Sequence, residues 1–260
     1  MRKIYYTLTA LTLSLTSCND LLDRMPDNRL VIDSPEKVQQ ALTNAYPQIA
    51  TTLINEFSSD NIDDIGADNI YSNFLTRETA YWQPILEYNN VDGLQNIWDY
   101  HYKAIGQANA ALDAIETTLH NDASLNPAKG EALVARAYAH FCLVNLFSQA
   151  YNPNTSSSDL GIPYITRPEE EMNPQRQRGT VAQVYQQIAA DLEKGLPLID
   201  DSYYQMPKYH FNKKAAYAFA ARFYLYYQQW QKALDAANVV LTTNDATTQN
   251  LVREWMNFSQ

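Results

Sequence analysis

Between Glu56 and Gly93 the chain carries Asn73, Phe74, Arg77, Tyr81, Trp82 and Tyr88. Aromatic rings of this kind stack on the apolar faces of sugars, and amides or carboxylates beside them bond to hydroxyls. Tyr81 and Trp82 are the candidate stacking rings, and Asn73 is the candidate for hydroxyl recognition. A second reading stays open: rings also dominate core burial, so the same residues could anchor a long loop to helices, although binding residues concentrate on loops.

Other reactive side chains have weaker patterns. Asp60, Asp63, Asp64 and Asp68 surround Gly66, but a calcium loop begun at Asn61 has Ile65 at its fifth position and Ser72 where a bidentate Glu belongs. The cluster reads better as a solvated loop. A glycosidase needs two carboxylates a few ångströms apart, and sequence alone does not pair any of these acids. His101, His120, His140 and His210 have no zinc-like spacing, which makes structural roles the expectation. Cys142 sits in an apolar helix beside His140, two residues away and on a different face, so an inert thiol is expected. No Gly-rich phosphate loop occurs, and the chain has only 7 Gly. Binding rather than catalysis is the expectation, with no catalytic residue, no metal ligand and no cofactor.

The first eighteen residues carry a different chemistry. Met1-Arg2-Lys3 is a basic start, Ile4 to Thr16 is uncharged and mostly apolar, and the run closes on Leu15-Thr16-Ser17-Cys18. It is too short to span a bilayer and reads as a secretory signal. The ending resembles a bacterial lipobox, in which Cys18 receives lipid and becomes the new N-terminus; more than one acyl chain is needed for a firm hold. An ordinary cleavage site followed by a plain thiol is the alternative.

Removing residues 1 to 17 takes away Arg2 and Lys3 and no acid, so the formal net charge moves from −10 to −12. Such a surface repels phosphate backbones and lacks the basic clusters that nucleic-acid binding requires, so no nucleic-acid partner is expected. A lipidated Cys18 leaves Cys142 as the sole thiol, so stability comes from a core and not from a disulfide. Tyrosine, at 19 against 8 Phe and 4 Trp, suits either buried packing with a bonded hydroxyl or a stacking surface.

The elements that position these residues read as helices. Ser34-Pro35-Glu36 is a helix start, and the pattern predicts a helix to about Ile54. Trp98, Tyr102, Ile105, Leu112, Ile115 and Leu119 form one stripe of a helix over 94 to 119. Residues 127 to 149 are apolar around most of a helix and predict burial. Thr180 with Gln183 predicts a capping box, and Asn212 caps a final pair over 213 to 228 and 230 to 241. No stretch alternates as a strand, so the chain is mainly α. Residues 152 to 159 and 166 to 179 read as loops, and 56 to 93 is the longest unassigned segment and the first candidate for ligand contact.

In the final pair, small residues at Ala216, Ala220, Ala233 and Ala237 lie among Tyr224, Tyr227 and Trp230, which resembles a tetratricopeptide helix-turn-helix. No clean period of about 34 residues recurs, so any repeats are irregular. Several pieces in order then resemble the SusD/RagB family of outer-membrane nutrient-binding lipoproteins of Bacteroidota. They are Leu21-Leu22-Asp23 after the lipobox cysteine, Ile97-Trp98 with Ala108-Asn109, Gly130-Glu131-Ala132 through Arg136-Ala137-Tyr138, Leu160-Gly161-Ile162-Pro163-Tyr164, Arg178-Gly179-Thr180, and Asn212-Lys213.

The resemblance implies an all-α, irregular tetratricopeptide-like scaffold with long loops, held at the outer surface of the outer membrane. It implies a partner, a SusC-like TonB-dependent transporter, to which oligosaccharides or other nutrients such as peptides are handed. Family members usually continue well past the point where this chain ends, so residues 34 to 260 read as an N-terminal portion, preceded by a leader (1 to 17) and a tether (18 to 33). A tetratricopeptide-type envelope scaffold that binds only protein partners is the alternative, and an extracellular glycoside hydrolase is a third.

Overall fold

The structure, a computed structural model, describes residues 31–63, 66, 73–86, 90–169 and 176–241. The leader, Cys18, Tyr88, Asp64 and Asp68 lie outside the described residues. From Ile32 onward the chain forms one unit, and its described elements are helices; a bridge between Leu160 and Thr180 is the one β-type pairing among the described residues.

The first helix, α1 (Pro35–Thr43), begins as its residues dictate: Ser34 Oγ accepts the Lys37 N–H at 3.4 Å and proline occupies the first turn. The predicted run to Ile54 is wrong. Helix α1 ends at Asn44, and a separate short helix α2 (Thr52–Phe57) follows. Pro47 explains the break, because it lacks an N–H and disfavours the α conformation of Tyr46 before it. The break carries Tyr46 back onto the core, where its hydroxyl bonds to Glu131 and accepts the Phe211 N–H at 2.7 Å.

After a third short helix, α3 (Phe74–Ala80), come the two longest helices, α4 (Leu94–Thr117) and α5 (Asn126–Phe147), and then α6 (Val181–Gly195). Helix α5 is buried on nearly every side, with α4 and α6 packed on it. Its approach to α6 is close at a pair of glycines. A Cβ on Gly130 would stand 2.8 Å from the Gly195 carbonyl oxygen, so only glycine fits. The predicted capping box of α6 is present, with Gln183 N–H donating to Thr180 Oγ1 at 3.2 Å and Thr180 N–H donating to Gln183 Oε1 at 2.9 Å.

The last pair, α7 (Lys213–Tyr226) and α8 (Trp230–Leu241), forms a helical hairpin. Asn212 caps α7 through the Ala215 N–H at 2.9 Å. The turn depends on Gln228 at φ 58°, with Gln229 N–H returning to the Tyr224 carbonyl at 2.9 Å. Phe219, Phe223 and Tyr224 of α7 are buried against α5 and α6, whereas of α8 only Ala236 is fully buried.

A buried polar network ties residues 160–169 to three helices. Arg136 of α5 donates to both carboxylate oxygens of Asp191 on α6, each at 2.7 Å, and to Asn109 Oδ1 on α4 and the Thr166 carbonyl. Asn109 in turn donates to the Ile165 carbonyl at 3.1 Å, and the Tyr164 hydroxyl donates to Asp191 at 2.6 Å. His140 completes the set: its Nδ1–H donates to the Arg136 carbonyl and its Nε2 accepts the Ile165 N–H at 3.1 Å, while its ring stacks on Tyr164 at 3.8 Å. Those partners require neutral imidazole, and burial, reinforced by the Arg136 charge, pushes its pKa down to about 3. Burial opposes the charge on Arg136, but hydrogen bonds and attraction from Asp191 outweigh it and hold the guanidinium above its ordinary pKa.

Candidate functional site

The segment from Glu56 to Gly93, unassigned by periodicity, contains ordered helix. Asn73 caps α3: its Oδ1 accepts the Thr76 N–H at 2.8 Å, and Thr76 Oγ1 accepts the Asn73 N–H at 3.2 Å. Leu75 is buried with Ile49, Ile54 and Ile97 in a small second apolar cluster, against which Ile85 also packs. These contacts fix the segment from below. Asn73, expected to meet hydroxyls, therefore has its carbonyl oxygen engaged in the cap. A polar residue three positions ahead of Thr76, just before Phe74-Leu75, is the local signal of this helix start.

Above that anchor the rings face solvent. Phe74 is 60% exposed, Tyr81 56% and Trp82 78%. The Arg77 guanidinium lies 5.1 Å from the centre of the Phe74 ring, a cation–π contact that fills one face of that ring. The helix ends on a Schellman motif: Trp82 N–H donates to the Thr79 carbonyl at 3.1 Å and Gln83 N–H to the Glu78 carbonyl at 2.8 Å. The residue at the left-handed position of this motif is Trp82, at φ 53°, where glycine is usual. A side chain there costs roughly 1–2 kcal/mol. Strain of this sort persists where surrounding contacts over-determine it, and it gathers at binding sites.

Tyr81 and Trp82 are adjacent and both exposed, and Phe74 lies at the other end of the same short helix. Leu86, four residues after Trp82, is also exposed, a residue with no distinguishing signal in the sequence. Asp64 and Asp68 of the acidic cluster lie outside the described residues; among the described residues no group of three or more His, Cys, Asp or Glu stands close enough to hold an ion. Cys142 is partly buried, and burial pushes its thiol up to about 11, out of the nucleophilic range.

Two clefts lie elsewhere. One, of about 610 Å³, runs between α4, α5 and α6 and is bordered by Asp113, Glu116, Lys129, Arg167, Gln187 and Lys194, with Arg136 and Asp191 at its base. Asp191 already accepts from Arg136 and Tyr164, so it is committed to structure. The other, of about 270 Å³, lies between Asn44, Gln48 and α4. Neither cleft takes in Asn73, Tyr81 or Trp82.

Among the described residues no helix is long and apolar enough to cross a membrane. Comparison with known proteins then gives a consistent answer. A family profile, SusD-like, described as starch-binding and associating with the outer membrane, matches residues 20–225. The SusD-like protein P2 of Formosa agariphila is 25% identical over 93% of this chain and 46% of its own length. A SusD superfamily protein from Bacteroides thetaiotaomicron superposes with a TM-score of 0.63 at 25% identity, over 81% of this chain and 46% of that one. A SusD-like carbohydrate binding protein from Bacteroides vulgatus gives 0.60 at 19% identity, over 86% and 47%. The chain spans about half the length of these relatives. With an irregular tetratricopeptide-like helical scaffold and a family profile that covers most of its length, this chain belongs to the SusD-like family.

Proposed function

We propose that the chain is the helical N-terminal part of a lipid-anchored nutrient-binding protein of the outer membrane. It binds an oligosaccharide through Trp82 and Tyr81 and delivers it to a SusC-like TonB-dependent transporter. The observation that carries this reading is the exposed ring set of Phe74, Tyr81 and Trp82, with Trp82 on strained backbone. Exposed aromatic rings on ordered backbone are the surface that sugar faces stack on. The family description of starch-binding, and the carbohydrate-binding name of the Bacteroides vulgatus neighbour, support the ligand class. A formal net charge of −12 once residues 1 to 17 are removed works against polyanionic ligands and favours neutral chains.

Cys18 is the proposed lipid attachment point, and the outer-membrane association in the family description supports the proposal of a membrane-held protein at the extracellular side. Peptide remains the other nutrient class this reading admits. The protein binds and does not catalyse, and the commitment of Asp191 to Arg136 removes one carboxylate that a hydrolytic pair in the large cleft would need.

The test is a glycan array followed by calorimetry on the full chain and on Trp82→Ala. Specific binding that weakens by roughly tenfold in the variant, the order of 1.4 kcal/mol, supports the platform. Unchanged binding in the variant removes Trp82 from the site. One observation favours the second reading, an envelope scaffold for protein partners alone: α8 leaves Trp230, Leu234 and Leu241 exposed beside Leu225 and Tyr226. That reading expects no glycan to bind the full chain at all.

A further inference from the structure

Glu78 closes the segment that carries Trp82 with two of its oxygens. Its backbone carbonyl accepts the Gln83 N–H at 2.8 Å, and its carboxylate Oε2 accepts the Leu86 N–H, eight residues along, also at 2.8 Å. Between those two bonds the chain has few freedoms left. Trp82 holds a left-handed φ, Pro84 has φ fixed by its ring, and Ile85 packs on the cluster of Ile49, Ile54, Leu75 and Ile97. The residues left exposed are Trp82, Gln83, Pro84 and Leu86, next to Tyr81. A ring already held outward loses less freedom when a ligand stacks on it.

We infer that Glu78 is a positioning residue for the ring platform: its carboxylate clips the Leu86 amide and thereby holds the turn on which Trp82 is presented. This rests on the reading of Trp82 as a ligand contact. The clip needs an acceptor oxygen at that reach and not a charge. Glutamine has such an oxygen, aspartate is a methylene too short, and alanine has none. Glu78→Gln should therefore behave as the unaltered protein, and Glu78→Asp and Glu78→Ala should not.

The experiment uses the full chain and two readouts, with maltoheptaose as the probe because of the family description. The first readout needs no ligand: amide exchange at Leu86 and nitrogen relaxation at Trp82 by NMR. Exchange should accelerate at least tenfold, and Trp82 should gain fast motion, in Glu78→Ala and Glu78→Asp but not in Glu78→Gln, with melting temperature unchanged in all three. Equal exchange and order in the unaltered protein and Glu78→Ala overturn the inference whatever the ligand does. The second readout is affinity. Loss in Trp82→Ala with a three- to tenfold weakening in Glu78→Ala, restored by glutamine, supports both claims. Loss in Trp82→Ala with no change in Glu78→Ala overturns the positioning role alone. If maltoheptaose fails to bind, or binds Trp82→Ala as well as the unaltered protein, a starch-type oligosaccharide at this surface is ruled out, and the clip stands or falls on the NMR result.

Discussion

Residues 160–169 and residues 73–86 use similar side chains and bury them in opposite ways. The first segment sends Tyr164 inward to stack on His140, and its carbonyls are taken up by Asn109 and Arg136 from two helices. The second satisfies its backbone locally, through the Asn73 cap, the Schellman turn and the Glu78 clip, and it leaves Phe74, Tyr81 and Trp82 in solvent. The difference lies in where the hydrogen bonds go. A segment whose polar groups are paired with core residues is held by those residues and has no rings to spare. One whose polar groups are paired among themselves can present its rings outward on rigid backbone.

The comparison breaks most sharply at Asp191. Replacing it with alanine leaves the Arg136 guanidinium buried and unpaired, which should cost about 3–5 kcal/mol in chemical denaturation. A loss below about 1 kcal/mol would mean that the network does not hold the first segment, and the contrast would collapse.

Acid offers a graded perturbation of the same region. The folded pKa of His140 lies near 3 and its unfolded value near the usual 6.5, so the unfolded chain binds more protons between those limits. Its contribution is intact above about pH 6.5 and is lost as pH falls toward 3, at up to about 1.4 kcal/mol per pH unit. Burial also depresses His101, which adds a slope of the same sign. Denaturation curves at several pH values should show a shallower slope in His140→Gln, and an equal slope would contradict the neutral assignment.

The smallest effect has the opposite sign and sharpens the contrast. Trp82→Gly relieves the left-handed strain and should raise stability by about 1 kcal/mol, while it deletes the stacking ring. A core residue gives the reverse, with stability falling on truncation. If Trp82→Gly destabilised the fold, the ring would be an anchor of its loop, the reading the sequence left open.

Much of the scaffold was legible because its signals are local. Ser34-Pro35, Thr180 with Gln183 and Asn212 start the helices they predict, and the stripe on α4 and the all-round apolar pattern of α5 depend on periodicity alone. The break at Pro47 and the Asn73 cap have equally local signals, though the apolar pattern across the first hides the break and the short length of the second helix gives no periodicity. The network of Asn109, Arg136, His140, Tyr164 and Asp191 was not legible, because its members stand up to 82 positions apart and chain order says nothing of which side chains meet.

By itself, then, the sequence determined the helical class, most helix starts, a net negative charge, and a set of aromatic residues suited to sugars, since propensity, caps and charge act within a few residues or sum over the whole chain. Tertiary structure decided which rings are spent on the core and which remain outside. Tyr164 and Trp82 have comparable chemistry on paper, but only the packing of α4, α5 and α6 buries one, and only the turn closed by Glu78 exposes the other. Burial is a property of what the rest of the chain places around a side chain, and no local pattern contains it.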